Sequence, residues 1–163
     1  MFSLRTAGAG QMVAALELHA RHVENLGARL EKASDLIYRE TAHRFDTEGD
    51  GTWPPLTEST VAKKESQGYG EPAKALYAEG NLYESATSPY GPYSERLHVH
   101  SEGFQRIVML VDWENNGWQI PPVLSEGTET AGVGHHTTIP ARPIWPPAEQ
   151  MREPVGAILM AGL

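Results

Sequence analysis

The sequence predicts an α+β fold: a long N-terminal helix and short helices packed on a small, mainly antiparallel β-sheet, followed by a C-terminal helix. Three observations predict it. Between residues 11 and 45 the apolar positions Met12, Leu16, Val23, Leu26, Leu30, Ala33 and Ile37 recur mostly every three or four residues, with Arg21, Glu24, Arg29, Glu31, Lys32 and Asp35 between them. That spacing gathers the apolar side chains on one helical face. Arg96-Leu97-His98-Val99-His100-Ser101 alternates with period two, and Arg106 to Trp113 is a β-branched and apolar run, as expected of two paired strands. The chain's 16 Gly and 12 Pro cut much of it into short elements joined by ordered loops.

The elements follow in order. A helix of about 35 residues would be on the order of 50 Å long, more than the roughly 30 Å width of a small domain, so part of it needs another partner. Its near-heptad spacing fits an intermolecular seam as well as a helix lying on its own sheet with one end projecting, and Gly27 marks a bend or a close contact. Asp46-Thr47-Glu48-Gly49-Asp50-Gly51 ends the helix with turn formers. Short helices are expected over about 57–86. Thr57 is the N-cap of the first, Glu58 lies in its first turn, Lys63 and Lys64 lie toward its C-terminal end as the helix dipole prefers, and Gly68 stops it. Residues 73 to 86 read as two helical turns broken at Gly80. Ser88-Pro89-Tyr90-Gly91-Pro92-Tyr93 reads as a rigid surface loop whose tyrosines suit either a contact surface or ordinary loop packing.

Strands are expected over about 96–124. The first two are joined at Glu102-Gly103-Phe104-Gln105, and a third comes from Trp118-Gln119-Ile120 or from Pro122-Val123-Leu124, after the strong turn Asn115-Asn116-Gly117. Residues 125–138, polar and Gly-rich, read as a flexible loop or arm. The C-terminal segment 139–163 carries Met151, Val155, Ile158, Leu159 and Met160 on a helix that starts near Pro146-Pro147 and kinks or restarts at Pro154. Residues 1–163 together are expected to form a single domain with one core.

Composition narrows the chemistry. A formal net charge of −8 argues against gripping phosphate, because Lys and Arg supply most of that affinity. The same charge serves solubility, or keeps DNA sliding past an acidic wall. The chain has no Cys, which excludes disulfides, thiolate zinc sites and cysteine catalysis and is compatible with a reducing cytoplasm. No stretch reaches the roughly 18 apolar residues that span a bilayer, and no basic patch precedes an apolar run at the start, so the expectation is a soluble, unprocessed chain.

Two constellations invite a metal. Asp46, Glu48 and Asp50 with Gly51 resemble the first half of a calcium loop, but its twelfth position is Thr57 rather than a bidentate Glu, and Pro54-Pro55 interrupts it. His98 and His100 would share a strand face and His135-His136 sits in the loop, but no spacing brings the pairs together. A Gly-x-Ser-x-Gly elbow and a phosphate-cradling Gly-x-x-x-x-Gly-Lys stretch are both absent. Catalysis has no candidate residues.

The most telling segment is Ile139-Pro140-Ala141-Arg142-Pro143-Ile144. Prolines on both sides hold Ala141-Arg142 extended, so the guanidinium stands on a stiff support. Upstream lie Trp53-Pro54-Pro55-Leu56 with Thr60 and Lys63-Lys64, Leu76-Tyr77-Ala78-Glu79-Gly80-Asn81-Leu82-Tyr83-Glu84-Ser85, and Leu124-Ser125-Glu126-Gly127-Thr128. This series, covering residues 33 to 147, resembles the virion morphogenesis and tail-completion proteins of tailed bacteriophages. It departs from them at Ser125-Glu126, where the family often has His and an aromatic residue before Gly127, and at Ile144, where it often has an aromatic residue.

The resemblance implies a structural protein, not an enzyme, with no cofactor. It implies a homo-oligomeric, hexameric ring in the virion, assembled in the host cytoplasm at the head-proximal end of the tail. Its partners would be the tail tube protein and the head-tail connector or stopper protein, with genomic DNA passing through the lumen unbound and no membrane involved. A neighbouring neck ring, an assembly factor, and a small metal-binding protein or enzyme are the alternatives. The structural and interface candidates are Trp53, Leu56, Lys63, Gly80, Leu82, Gly127, Pro140, Arg142 and Pro143. Arg142 is expected either to bridge to an acidic neighbour or to pin its own loop to the sheet.

Overall fold

The computed structural model describes residues 9–101, 104–115, 118–131, 134 and 136–161, and the fold is α+β as predicted. Helix α1 runs unbroken from Ala9 to Asp46. Its C-terminal part is packed, with Ala33, Leu36, Tyr38, Thr41, Arg44 and Phe45 buried. Every side chain described between Met12 and Asn25 is exposed. About 24 Å of helix therefore projects beyond the packed body. Gly27 does not interrupt the helix, and a Cβ there would meet Gln105 Oε1 at 3.6 Å, an ordinary van der Waals contact.

After α1 the chain turns through Glu48, Gly49, Asp50 and Gly51, all at positive φ. Helix α2, Glu58–Ser66, starts as expected at Thr57, whose hydroxyl accepts from the Thr60 amide. Helix α3 spans Asn81–Thr87 and is one helix where two turns were expected. Gly80, at φ 89°, is its N-cap and begins the helix instead of breaking it. The preceding residues leave the helical path because Leu76 has φ 57° and the Ala75 amide donates to Glu48 Oε1.

Strands β1, Ser94–Ser101, and β2, Phe104–Val111, pair antiparallel from Ser94↔Val111 to Ser101↔Phe104. The turn residues Glu102 and Gly103 lie outside the described residues. The expected third strand does not join this sheet: Trp118-Gln119 is β4 and pairs with β3, Glu114–Asn115. The Asn116-Gly117 corner between them is also outside the described residues. Pro122-Val123-Leu124 lies in helix α4, Ile120–Glu126, because prolines at a helix start forfeit only amides that would have no helical partner.

Residues expected to form a loose arm build a small hairpin instead, β5, Thr128–Ala131, paired with β6, Thr137–Ile139. The β-branched Thr128, Thr130, Thr137, Thr138 and Ile139 suit a pleated surface. Helix α5, Ala148–Met160, begins after Pro147 as expected and continues past Pro154, whose ring is exposed. It lies along α1, where Arg29 Nη1 donates to the Leu159 carbonyl at 3.0 Å. The core where these elements meet consists of Phe45, Trp53, Ala75, Leu82, Ala86 and Ile144.

The β1–β2 hairpin turns toward α1 the face on which Arg96 and His98 of β1 stand opposite Met109 and Ile107 of β2. Arg96 Nη1 lies 2.9 Å from Glu31 Oε2 and 3.6 Å from Asp35 Oδ1, and His98 Nε2 lies 2.8 Å from Glu31 Oε1. Arg96 and His98 are thus applied to acids of the helix. By strand alternation and register, Leu97, Val99, Val108 and Leu110 point the other way, and Leu97 and Leu110 are 42% and 43% exposed.

Candidate functional site

The extended strap from Pro140 to Ile144 follows β6, and its residues converge with three other parts of the chain. Gly127 makes that approach possible. Its φ of 77° and ψ of 173° belong to a region open essentially to glycine alone, and a Cβ there would fall 2.7 Å from both the Ala141 nitrogen and the Ile139 carbonyl oxygen. The strap then bonds to α4: the Arg142 amide donates to the Leu124 carbonyl at 3.1 Å, and the Ile144 amide donates to Ser125 Oγ at 3.3 Å. Ile144 is 1% exposed.

Arg142 is 4% exposed. Its Nε and Nη2 donate to the Pro54 carbonyl at 3.0 and 2.7 Å, and Nη2 also donates to the Pro55 carbonyl at 3.3 Å. It therefore pins the strap to the Trp53–Leu56 segment within one chain, and neither a sheet nor an acidic side chain takes the guanidinium. Prolines suit this arrangement because they offer carbonyl acceptors without an amide that would need its own partner. Burial lowers the Arg142 pKa from the usual arginine value, and the Glu48 carboxylate opposes that shift.

The next residue completes the junction from the other side. The Pro143 carbonyl accepts from Arg44 Nε and Nη2 at 3.3 and 3.1 Å and from Trp53 Nε1 at 3.3 Å. Trp53 stands edge-on to Phe45, with ring centroids 5.6 Å apart, and Phe45 edge-on to Tyr83 at 5.4 Å. Two buried arginines, Arg44 and Arg142, thus fix the strap to the end of α1 and to the Pro54-Pro55 segment through fixed backbone carbonyls.

A groove of about 750 Å³ lies beside this junction. Leu56, Thr57, Thr60, Leu76 to Leu82, Leu124, Thr137 to Pro140, Arg142 and Trp113 are among the residues that line it. Of the candidate residues, Trp53, Leu56, Gly80, Leu82, Gly127, Pro140, Arg142 and Pro143 belong to the junction or the groove. Lys63 does not, being exposed on α2. Its neighbour Lys64 is buried, and Nζ donates to the Lys74 carbonyl at 2.7 Å. Burial lowers its pKa, against the pull of Glu48 and Glu71. Sequence reasoning missed Arg44, whose signal was an arginine in the last helical turn beside Phe45.

The metal alternatives find no geometry. Asp50 pairs with His43 and Arg44, Asp46 with Lys74, and Glu48 accepts from the Ala75 amide, so the three acids of the turn have three different sets of partners. Among the described residues no group of three metal-ligating side chains converges. The side chain of His100 and all of His135 lie outside the described residues.

No family model matches the chain, and comparisons with curated proteins and with solved structures give no match. No helix among the described residues is long and apolar enough to cross a membrane.

Proposed function

We propose that this chain is a structural virion protein that forms a homo-oligomeric, hexameric ring at the head-proximal end of a phage tail, completing the tail tube and joining it to the head connector. The observation that carries the reading is the coherence of the junction. Of the segments on which the resemblance rests, Trp53–Leu56 with Thr60, Leu76–Ser85, Leu124–Thr128 and Ile139–Ile144 are far apart in sequence, yet each supplies residues to the junction or its groove, whereas Lys63 stands outside both. Motifs that meet around one buried Arg behave as parts of a single framework.

Association between copies is supported by the projecting part of α1. Met12, Val13 and Leu16 on it are 64%, 52% and 62% exposed, an apolar stripe without the packing that supplies most helical stability in proteins. In a ring each subunit presents two different faces, and closure satisfies both. The negative charge suits a lumen through which DNA passes without being held. The reading involves no catalytic step and no cofactor.

Two measurements test it: the protein content of purified particles by mass spectrometry, and binding of the full chain to tail tubes of the same phage. The chain is expected in the finished particle and at tube ends. Absence from particles that required it for assembly would make it an assembly factor, and presence without tube binding would favour a neighbouring neck ring.

A further inference from the structure

Among the described residues, two apolar surfaces stand at least partly open to solvent. One is the outward face of the β1–β2 hairpin, with Leu97, Val99, Val108 and Leu110 between Glu95 at one end and Arg106 at the other. The other is the projecting part of α1, where Met12, Leu16 and Ala20 follow one another at helical spacing, Val13 lies beside them and Glu17 flanks them. Because α1 is a continuous helix, its projecting part cannot fold back on its own hairpin.

We propose that these surfaces are the two halves of one contact between copies: the projecting part of α1 of one copy packs along the outward face of the β1–β2 hairpin of the next. This names the subunit interface of the ring and rests on the ring reading above.

Shape and charge both support this pairing. A two-stranded ribbon with strands about 4.8 Å apart offers a face roughly 10 Å wide, the width of one helix with its side chains. Arg106 lies opposite Val99 and Leu110 opposite Glu95, so the two charged ends of the patch are four strand residues apart, about 13 Å. When Glu17 sits over Arg106, Met12, about 7.5 Å back along the helix, lies over the row containing Leu97 and Val108. The contact joins two different surfaces, so repeated around a ring it leaves neither bare.

The chain has no Cys, so paired cysteines report the contact cleanly. Met12→Cys and Leu97→Cys are made as separate full-length variants, both at exposed positions, and oxidised alone and as a mixture. The expected result is a cross-link in the mixture and none in either variant alone. A cross-link in Leu97→Cys alone would overturn the proposal in favour of a two-fold contact between sheets, and one in Met12→Cys alone in favour of a helix pair. An oligomer that forms without the mixed cross-link removes the pairing but leaves the ring reading intact. If the wild-type chain forms no oligomer, either free or on tail tubes, both fall.

A charge exchange gives an independent readout. Glu17→Arg and Arg106→Glu should each lose oligomer, and the double variant should regain it. Loss that is merely additive in the double variant would contradict the Glu17–Arg106 alignment.

Discussion

Arg142 is the residue on which the junction depends. Replacing it with Ala removes the donor from the half-buried Pro54 carbonyl, at about 1–3 kcal/mol, while the exposed Pro55 can turn to water. Arg142→Ala should therefore destabilise the monomer by on the order of 2 kcal/mol, a fall in melting temperature of roughly 4–8 °C for a chain of this size. Arg142→Lys, a point donor in place of a fork, should lie between. Thermal melts of the monomer measure both, and an unchanged melting temperature would remove the junction from the fold's stability. Gly49→Ala should be severe for a different reason. The residue has φ +68°, and a Cβ would fall 2.4 Å from the Trp53 ring, so a left-handed penalty of about 1–2 kcal/mol is joined by displacement of that ring. The proline-flanked Arg was legible in the sequence because prolines fix the local backbone. What it bonds was not, because backbone carbonyls nearly ninety residues away leave no mark of their own in the sequence. Lys64 shows the same limit: adjacent lysines look alike until one is folded over the Lys74 carbonyl.

Among the elements, those with strong local periodicity were legible and those decided by tertiary pairing were not. The expected helix over 11–45 is Ala9–Asp46, and the paired strands over 96–113 are β1 and β2, because period and length were unambiguous there. The hairpin β5–β6 was hidden in a Gly-rich stretch, and α4 was hidden by its own prolines. The face of β1–β2 turned toward α1 could not be read either. Alternation fixes which residues share a face, but the face turned inward shows itself only in the fold, where Arg96 and His98 meet Glu31 and Val111 packs against the core. An element-level prediction follows from the exposed α1 stripe. Met12→Glu with Leu16→Glu should leave the monomer's melting temperature within the small range of surface substitutions, about 0.5 kcal/mol, while abolishing self-association in light scattering. Destabilisation of the monomer instead would mean that the stripe packs within its own chain.

At the scale of the whole molecule, the arrangement is a locked body carrying two apolar surfaces at least partly open to solvent. The body is held by two buried arginines and an aromatic cluster, with no metal site among the described residues. Chelator should accordingly leave the melting temperature unchanged, since a ligand that bound only the native state would raise it; a fall on chelation would reveal a structural ion. The ring account makes a stronger demand, that copies of this chain close on themselves. The measurement that tests it most directly is the light-scattering mass of the purified full chain across a range of concentrations, alone and after addition to tail tubes. The account predicts one closed oligomer of constant mass, hexameric, either free or on the tube. A monomer at every concentration, with no uptake by tubes, would contradict it.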